Sequence, residues 1–181
     1  MAQKIIAVDL DGTVCDLMTP WVAAYERQFA RPMVPPARWE FLDDLDDDER
    51  AFMVAHLETP GLFESLESYP GAIDGVRRLL RDGHRALIVT SPAGPNSVIG
   101  KYAWCSDHLP GVPVVMLREK HLLKYDAIVD DHAMHARLAT ATGRAAYGLR
   151  WDYNAHQASC WTRLLAPEDA WDIIPRLVRE L

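Results

Sequence analysis

The sequence predicts an α/β fold: a doubly wound parallel sheet with a small helical cap inserted after the first strand. Three observations carry that expectation. A short unbroken apolar run, Ile5-Ile6-Ala7-Val8, leads straight into Asp9-Leu10-Asp11-Gly12, the pattern of a strand buried on both faces that ends in a turn. Beyond Pro70, short apolar runs alternate with segments of helical period, as in strand–helix–strand units of a parallel sheet. Three of these runs also end in polar pairs, Asp9/Asp11, Thr90/Ser91 and Asp130/Asp131, where an open α/β sheet presents groups to a ligand.

After Asp11 the apolar period changes. Met18, Trp21, Val22, Tyr25 and Phe29 fall on one helical face, which Pro32, Pro35 and Pro36 stop. Asp46 to Asp48 can cap a second helix through Phe52, Met53, Ala55 and Leu57, closed by Pro60-Gly61. This helical stretch interrupts the strand–helix rhythm, so residues 17–66 are expected to form the cap, and residues 1–16 and 67–181 the core. The acidic run Asp43 to Glu49 reads as a solvated helix start rather than a metal site. Pro70-Gly71 opens a helix with Ile73, Val76, Leu79 and Leu80 inward, and Gly83 is placed to end it. Arg85 to Val89 is the second strand, and Asn96 can cap the helix that follows through Trp104. Val112 to Leu117, Ala127 to Val129 and Ala145 to Leu149 are the remaining strands, with a helix over about 132–142 before the last of them. Pro167 begins a closing helix with Trp171, Ile174, Leu177 and Val178 inward.

At 181 residues and 49% hydrophobic, the chain can bury one substantial core and a small insertion. Nineteen Lys and Arg against 26 Asp and Glu leave a net charge of −7, which argues against binding of nucleic acid polymers but leaves room for a local basic pocket. No apolar run reaches the length of a membrane span, and residues 1–10 lack the flanks of a signal peptide. A cytoplasmic protein without a membrane partner is therefore expected. Cys15, Cys105 and Cys160, odd in number and without a CxxC, fit reduced thiols.

Alternation along a strand puts Asp9 and Asp11 on one side of the chain with Leu10 pointing away. Two carboxylates held so close repel each other, and burying them without counter-charge is costly, so the pair asks for a cation. A calcium loop counted from Asp9 fails, because Val14 falls where glycine is needed and Pro20 where the bidentate glutamate belongs. Four carboxylates, a hydroxyl pair and the cations Lys101, Arg118, Lys120 and Lys124 around one crevice instead describe a Mg2+-assisted phosphoryl-transfer site. Taken singly, each group has a plainer reading. Asp130-Asp131 can cap a helix, Thr90-Ser91 can form a turn, and Lys101 can be a surface lysine. Lys124 competes with Lys120 for the phosphate side, and the Arg118-Glu119-Lys120 pattern favours Lys120. His132 and His135 read as structural or solvated, because Mg2+ prefers oxygen ligands.

Asp9-Leu10-Asp11-Gly12-Thr13, then Thr90-Ser91, then a lysine, then Asp130-Asp131 resembles the four-motif order of haloacid-dehalogenase-like phosphatases. Pro60-Gly61-Leu62-Phe63, Leu66 to Ala72, Lys101-Tyr102-Ala103-Trp104, Leu117 to Lys120 and Ile128 to His132 are similar, in the same order, to the 5'(3')-deoxyribonucleotidase family. The similarity runs over about residues 3–155, with Asp152-Tyr153-Asn154 resembling the family's tail, and is loosest over residues 30–58.

The resemblance implies a Rossmann-like core of the haloacid-dehalogenase type and hydrolysis of deoxynucleoside monophosphates through an aspartyl-phosphate, with Mg2+ as cofactor. Asp9 would be the nucleophile and Asp11 the proton carrier. Thr90 would bind the phosphoryl oxygens, with Lys120 countering their charge, and Ser91, Lys101 and Arg118 would make further substrate contacts. Asp9, Asp130 and the Asp11 backbone carbonyl would hold Mg2+, with Asp131 supporting directly or through water. Trp39 and Phe41 would either stack on the base or pack the cap onto the core. A small-molecule nucleoside monophosphate is the expected partner, and a homodimer is compatible with it. The competing readings are a phosphatase of the same superfamily for another metabolite, and a catalytically silent nucleotide-binding protein on the same scaffold.

Overall fold

The computed structural model describes residues 2–181; Met1, the first residue of the expected core range, lies outside the described residues. Six strands form one parallel sheet in the order β3-β2-β1-β4-β5-β6: β1 (Ile5–Val8), β2 (Arg85–Thr90), β3 (Val114–Met116), β4 (Ala127–Val129), β5 (Ala145–Leu149) and β6 (Arg163–Leu165). The sheet grows outward from β1 in one direction and then from β4 in the other. The switch point therefore lies between β1 and β4, where Val8 sits beside Val129, and a crevice opens beyond their carboxyl ends.

Alternate residues of β1 serve two layers. Ile6 and Val8 face the larger core, with α3 (Ala72–Arg81), α4 (Pro95–His108) and α6 (Pro167–Arg179), while Ala7 faces the smaller core with α5 (Ala133–Ala141). Ala133, Ala136 and Ala139 line the inner face of α5 and are small enough to let the helix lie close to the sheet. Replacing a buried β1 isoleucine such as Ile6, fully buried in this core, by alanine would cost about 2–5 kcal/mol.

Four expectations are corrected in detail. Leu80 is 39% exposed, because the buried face of α3 runs through Ala72, Gly75, Val76 and Leu79 and leaves Leu80 at its edge. Asn96 lies inside α4 rather than capping it, since the N-cap position is Gly94. The third strand is shorter than Val112 to Leu117, because only Val114–Met116 pairs with β2. A sixth strand, β6, pairs with β5 through Tyr147↔Arg163; its three residues carry no alternating or β-branched signal.

Between β1 and α3 lie α1 (Met18–Phe29) and α2 (Asp47–His56). Asp46 caps α2 by accepting from the Glu49 amide, and Glu49 accepts back from the Asp46 amide, a reciprocal capping box. Trp21, Tyr25, Met33, Phe41 and Met53 form a hydrophobic cluster of their own, tied by the Trp21 indole donating to the Met53 carbonyl at 2.8 Å. No helix among the described residues is long and apolar enough to cross a membrane.

Candidate active site

Sheet register sets the centre of the site. The Asp9 amide donates to the Val129 carbonyl at 2.8 Å, so the residues that follow β1 and β4 emerge side by side. Asp9, Asp130 and Asp131 each offer a carboxylate oxygen, all within 4.8 Å of one another, and each residue is at least nine-tenths buried. Gly12 permits this crowding. Its φ is +71°, and a Cβ there would lie 2.1 Å from Asp131 Oδ2, so another residue would be both strained and in collision.

Two buried lysines meet the two catalytic candidates separately. Lys120 Nζ bridges Asp9 Oδ1 at 2.7 Å and Asp130 Oδ2 at 2.8 Å. Lys101 Nζ lies 2.6 Å from Asp11 Oδ2, 3.2 Å from Thr90 Oγ1 and 2.6 Å from the Ser91 carbonyl, and 4.7 Å from the Phe63 ring centroid. Lys101 is thus a buried residue of the site, not a surface lysine, and Lys124 is exposed. The Arg118 guanidinium donates to the Pro92 carbonyl at 2.7 Å, closing the loop that carries Ser91.

Burial pushes the Asp9 carboxyl up to about 7, with Lys120 opposing it and Asp130 and Asp11 adding to it. Burial also raises Asp131 well above the carboxylate range, reinforced by Asp9 and Asp130. Burial opposes the charge on Lys120, but Asp130 and Asp9 outweigh it and hold the ammonium more firmly protonated than a free lysine. Three carboxylates against one lysine leave an excess of buried negative charge, which a divalent cation relieves. Among the described residues Asp131 Oδ1 has no hydrogen-bond partner, and an all-carboxylate donor set suits a hard cation such as Mg2+. The residues present therefore fit that ion. Asp11 keeps its carboxylate on Lys101 and outside the three-carboxylate group.

A second tier holds this group in place. The Tyr153 hydroxyl donates to Asp131 Oδ2 at 2.6 Å, and the Asn154 amide to the Asp131 carbonyl at 2.9 Å. Burial, then Asp131, raises the Tyr153 pKa, which keeps it a donor. The Trp161 indole donates to the Asp130 carbonyl at 3.1 Å, and the Trp151 indole to the Gly12 carbonyl at 2.8 Å. These roles have no local signature; the only sequence signal was the Asp152-Tyr153-Asn154 resemblance.

The site opens into a cleft of about 560 Å³ between α1, α2 and the carboxyl edge of the sheet. Asp9, Asp11, Ser91, Lys101, Arg118 and Lys120 line its polar side, and Trp39 its other wall. The Trp39 ring lies 4.4 Å from that of His132 and 5.5 Å from that of Tyr153. Phe41 packs edge-on to Trp21 at 5.4 Å, inside the helical cluster. Thr90 is fully buried behind the cleft. His132 caps α5 through the Met134 amide, and His135 is buried with Nδ1 unpartnered among the described residues; burial lowers the pKa of both, that of His135 to about 4.

A haloacid dehalogenase-like hydrolase from Streptococcus pneumoniae superposes with a TM-score of 0.62 at 14% identity, covering 95% of this chain and 98% of that one. The sheet order and this superposition thus define an α/β fold of the haloacid-dehalogenase type, with the carboxylate-lysine site at its switch point. The profile of a narrower family, described as 5' nucleotidase, deoxy (pyrimidine), cytosolic type C protein, matches residues 3–180. The chain belongs to that family and is a phosphoric monoester hydrolase. It is 32% identical over 146 residues to the human cytosolic-type 5'(3')-deoxyribonucleotidase, covering 72% of each chain. It is 25% identical over 135 residues to the Bacillus subtilis 5'(3')-deoxyribonucleotidase, covering 71% of this chain and 76% of that one.

Proposed function

We propose that this enzyme is a Mg2+-dependent 5'(3')-deoxyribonucleotidase that removes phosphate from deoxynucleoside monophosphates through an aspartyl-phosphate on Asp9. The observation that carries the reading is the group of Asp9, Asp130 and Asp131 held beside Lys120 at the end of β1 and β4; the family and its named relatives supply the substrate class. Asp9, Asp130, Asp131 and the Asp11 carbonyl would hold Mg2+, which supplies positive charge against the phosphoryl oxygens when bound.

Asp9 attacks phosphorus, and the bond from phosphorus to the ribose oxygen breaks as Asp11 gives that oxygen a proton. Asp11 then takes a proton from the water that opens the acyl phosphate, returning Asp9 as carboxylate. Lys120 orients Asp9 through the 2.7 Å contact. Lys101 lies between Asp11 and the Ser91 carbonyl, so an incoming phosphoryl group competes with Asp11 for its ammonium. Residues 17–66 act as the substrate-choosing cap, with Trp39 as the aromatic wall facing the base. A cytoplasmic site of action is proposed with it, supported by the cytosolic type of the human relative.

A panel of deoxy- and ribonucleoside 5'- and 3'-monophosphates and sugar phosphates, assayed with Mg2+ and again after EDTA, tests this reading. Preferred release of phosphate from deoxynucleoside monophosphates, lost with EDTA and restored by Mg2+, is expected. Preference for a sugar phosphate, or turnover indifferent to EDTA, would overturn it.

A further inference from the structure

The N-cap position of α4 is Gly94, which has no side chain to accept from the first-turn amides. Those amides still need acceptors. Glu58, 38 residues upstream, supplies them: Oε2 accepts from the Asn96 amide and Oε1 from the Ser97 amide, each at 3.0 Å for donor pairs that lie side by side. The Asn96 side chain returns a bond to the Glu58 carbonyl at 3.0 Å. A Cβ on Gly94 would lie 2.6 Å from the Glu58 carboxyl carbon, so the glycine makes room for the carboxylate. The fully buried Ser97 hydroxyl accepts from the Ala93 and Gly94 amides at 2.8 and 3.0 Å.

The loop fixed in this way is the one whose Ser91, Pro92 and Ala93 line the cleft and whose Ser91 carbonyl holds Lys101. From Glu58 the chain runs on along α4: the Phe63 ring lies beneath Lys101, and the Trp104 indole donates to the Leu66 carbonyl at 2.8 Å. Ser97, Lys101 and Trp104 fall on one face of the helix. A carboxylate also suits the positive end of a helix and fills a place where a phosphate could bind.

We propose that Glu58 is a positioning residue for the phosphoryl-binding loop: capping α4 from outside the helix, it holds residues 91–94 and Lys101 in place and directs the substrate phosphate away from the helix end, toward Lys101 and Lys120. The proposal rests on the phosphatase reading above. Because the loop would meet the phosphoryl group in ground and transition states alike, its loss appears in KM.

The test compares wild-type protein with E58A and E58Q on deoxyuridine 5'-monophosphate and on p-nitrophenyl phosphate, which has no base for the cap to contact. For E58A, KM should rise roughly tenfold for both esters with kcat within about twofold, and the Asn96 and Ser97 amides should lose exchange protection. Acetate should bring the E58A KM back toward wild type and leave wild type unchanged. E58Q, whose amide oxygen can serve only one of the two donors, should fall between them, and it carries the same readings if E58A does not fold. A wild-type KM in an active variant that has lost amide protection overturns the inference, as does a defect confined to the nucleotide. Wild-type protein inert toward both esters overturns the function itself, and this inference with it.

Discussion

The sheet edge and the helical insertion both bury carboxylates, and they treat them in opposite ways. In the insertion, Glu49 accepts from Tyr25 and pairs with Arg31, and the Tyr25 hydrogen bond leads the interactions that lower its pKa. At the sheet edge, burial raises Asp9 and Asp131, and one lysine is shared between two of three carboxylates. The first arrangement is a satisfied structural network. The second stays short of positive charge, which is the condition of a site built to receive a cation and a substrate.

The most severe break of this comparison is Asp9→Asn, which should lower turnover at least roughly a thousandfold while the fold, read by circular dichroism and thermal midpoint, persists. Retained turnover would sink the aspartyl-phosphate mechanism. Lys120→Met comes next. It leaves two buried carboxylates without their shared partner and should cost about 3–5 kcal/mol in urea unfolding at pH 7.5. Arg31→Met in the insertion should cost far less, since its guanidinium is more than half exposed. Equal losses would show that the two networks do not differ as described.

A smaller effect sharpens the role of the second tier. Tyr153→Phe removes the hydroxyl that donates to Asp131 at 2.6 Å and should raise the Mg2+ concentration for half-maximal activity roughly ten- to a hundredfold. An unchanged Mg2+ titration would remove Asp131 from the metal-holding set. In the opposite wall, Trp39→Ala should lower kcat/KM for deoxyuridine monophosphate roughly tenfold, the scale of one lost aromatic contact, and spare p-nitrophenyl phosphate. Equal loss on both esters would mean that Trp39 serves the chemistry rather than the choice of substrate.

The same contrast explains what the sequence made legible. β1, β4 and β5 were readable because each is an apolar run bounded by a turn residue, and Asp9 and Asp130 could be placed together because strand ends in this topology converge. The Glu58 cap was not readable, since its partners lie 38 residues away and no local pattern announces a helix capped from elsewhere. Lys101 could be counted among the cations near the crevice, but in isolation it is one lysine on a helix and only the family resemblance gave it a substrate contact; its burial against Asp11, Thr90 and Phe63 is entirely tertiary. Phe41 and Trp39, two residues apart, part company for a similar reason: one turns toward Trp21 and the other toward His132, and irregular backbone between helices carries no period from which to read that.

The smallest predicted effect is a pH dependence of stability in the metal-free protein. The Asp9 carboxyl is raised from 3.8 to about 7 in the folded chain, so between those values the folded state binds the proton that the unfolded state has released. The contribution of Asp9 is therefore fully present below pH 4 and is lost as pH rises through about 7. Asp131 moves in the same direction. In EDTA the thermal midpoint should fall by a few degrees between pH 5 and pH 8, and the fall should be shallower in Asp9→Asn, which has nothing to titrate there. Mg2+ should stabilise wild type more at pH 8 than at pH 5, since the cation competes with protons for the same carboxylates. A midpoint that rises over this range in EDTA, with the same slope in the variant, would mean that the negative charge beside β1 is already balanced without a cation, and the contrast with Glu49 would disappear.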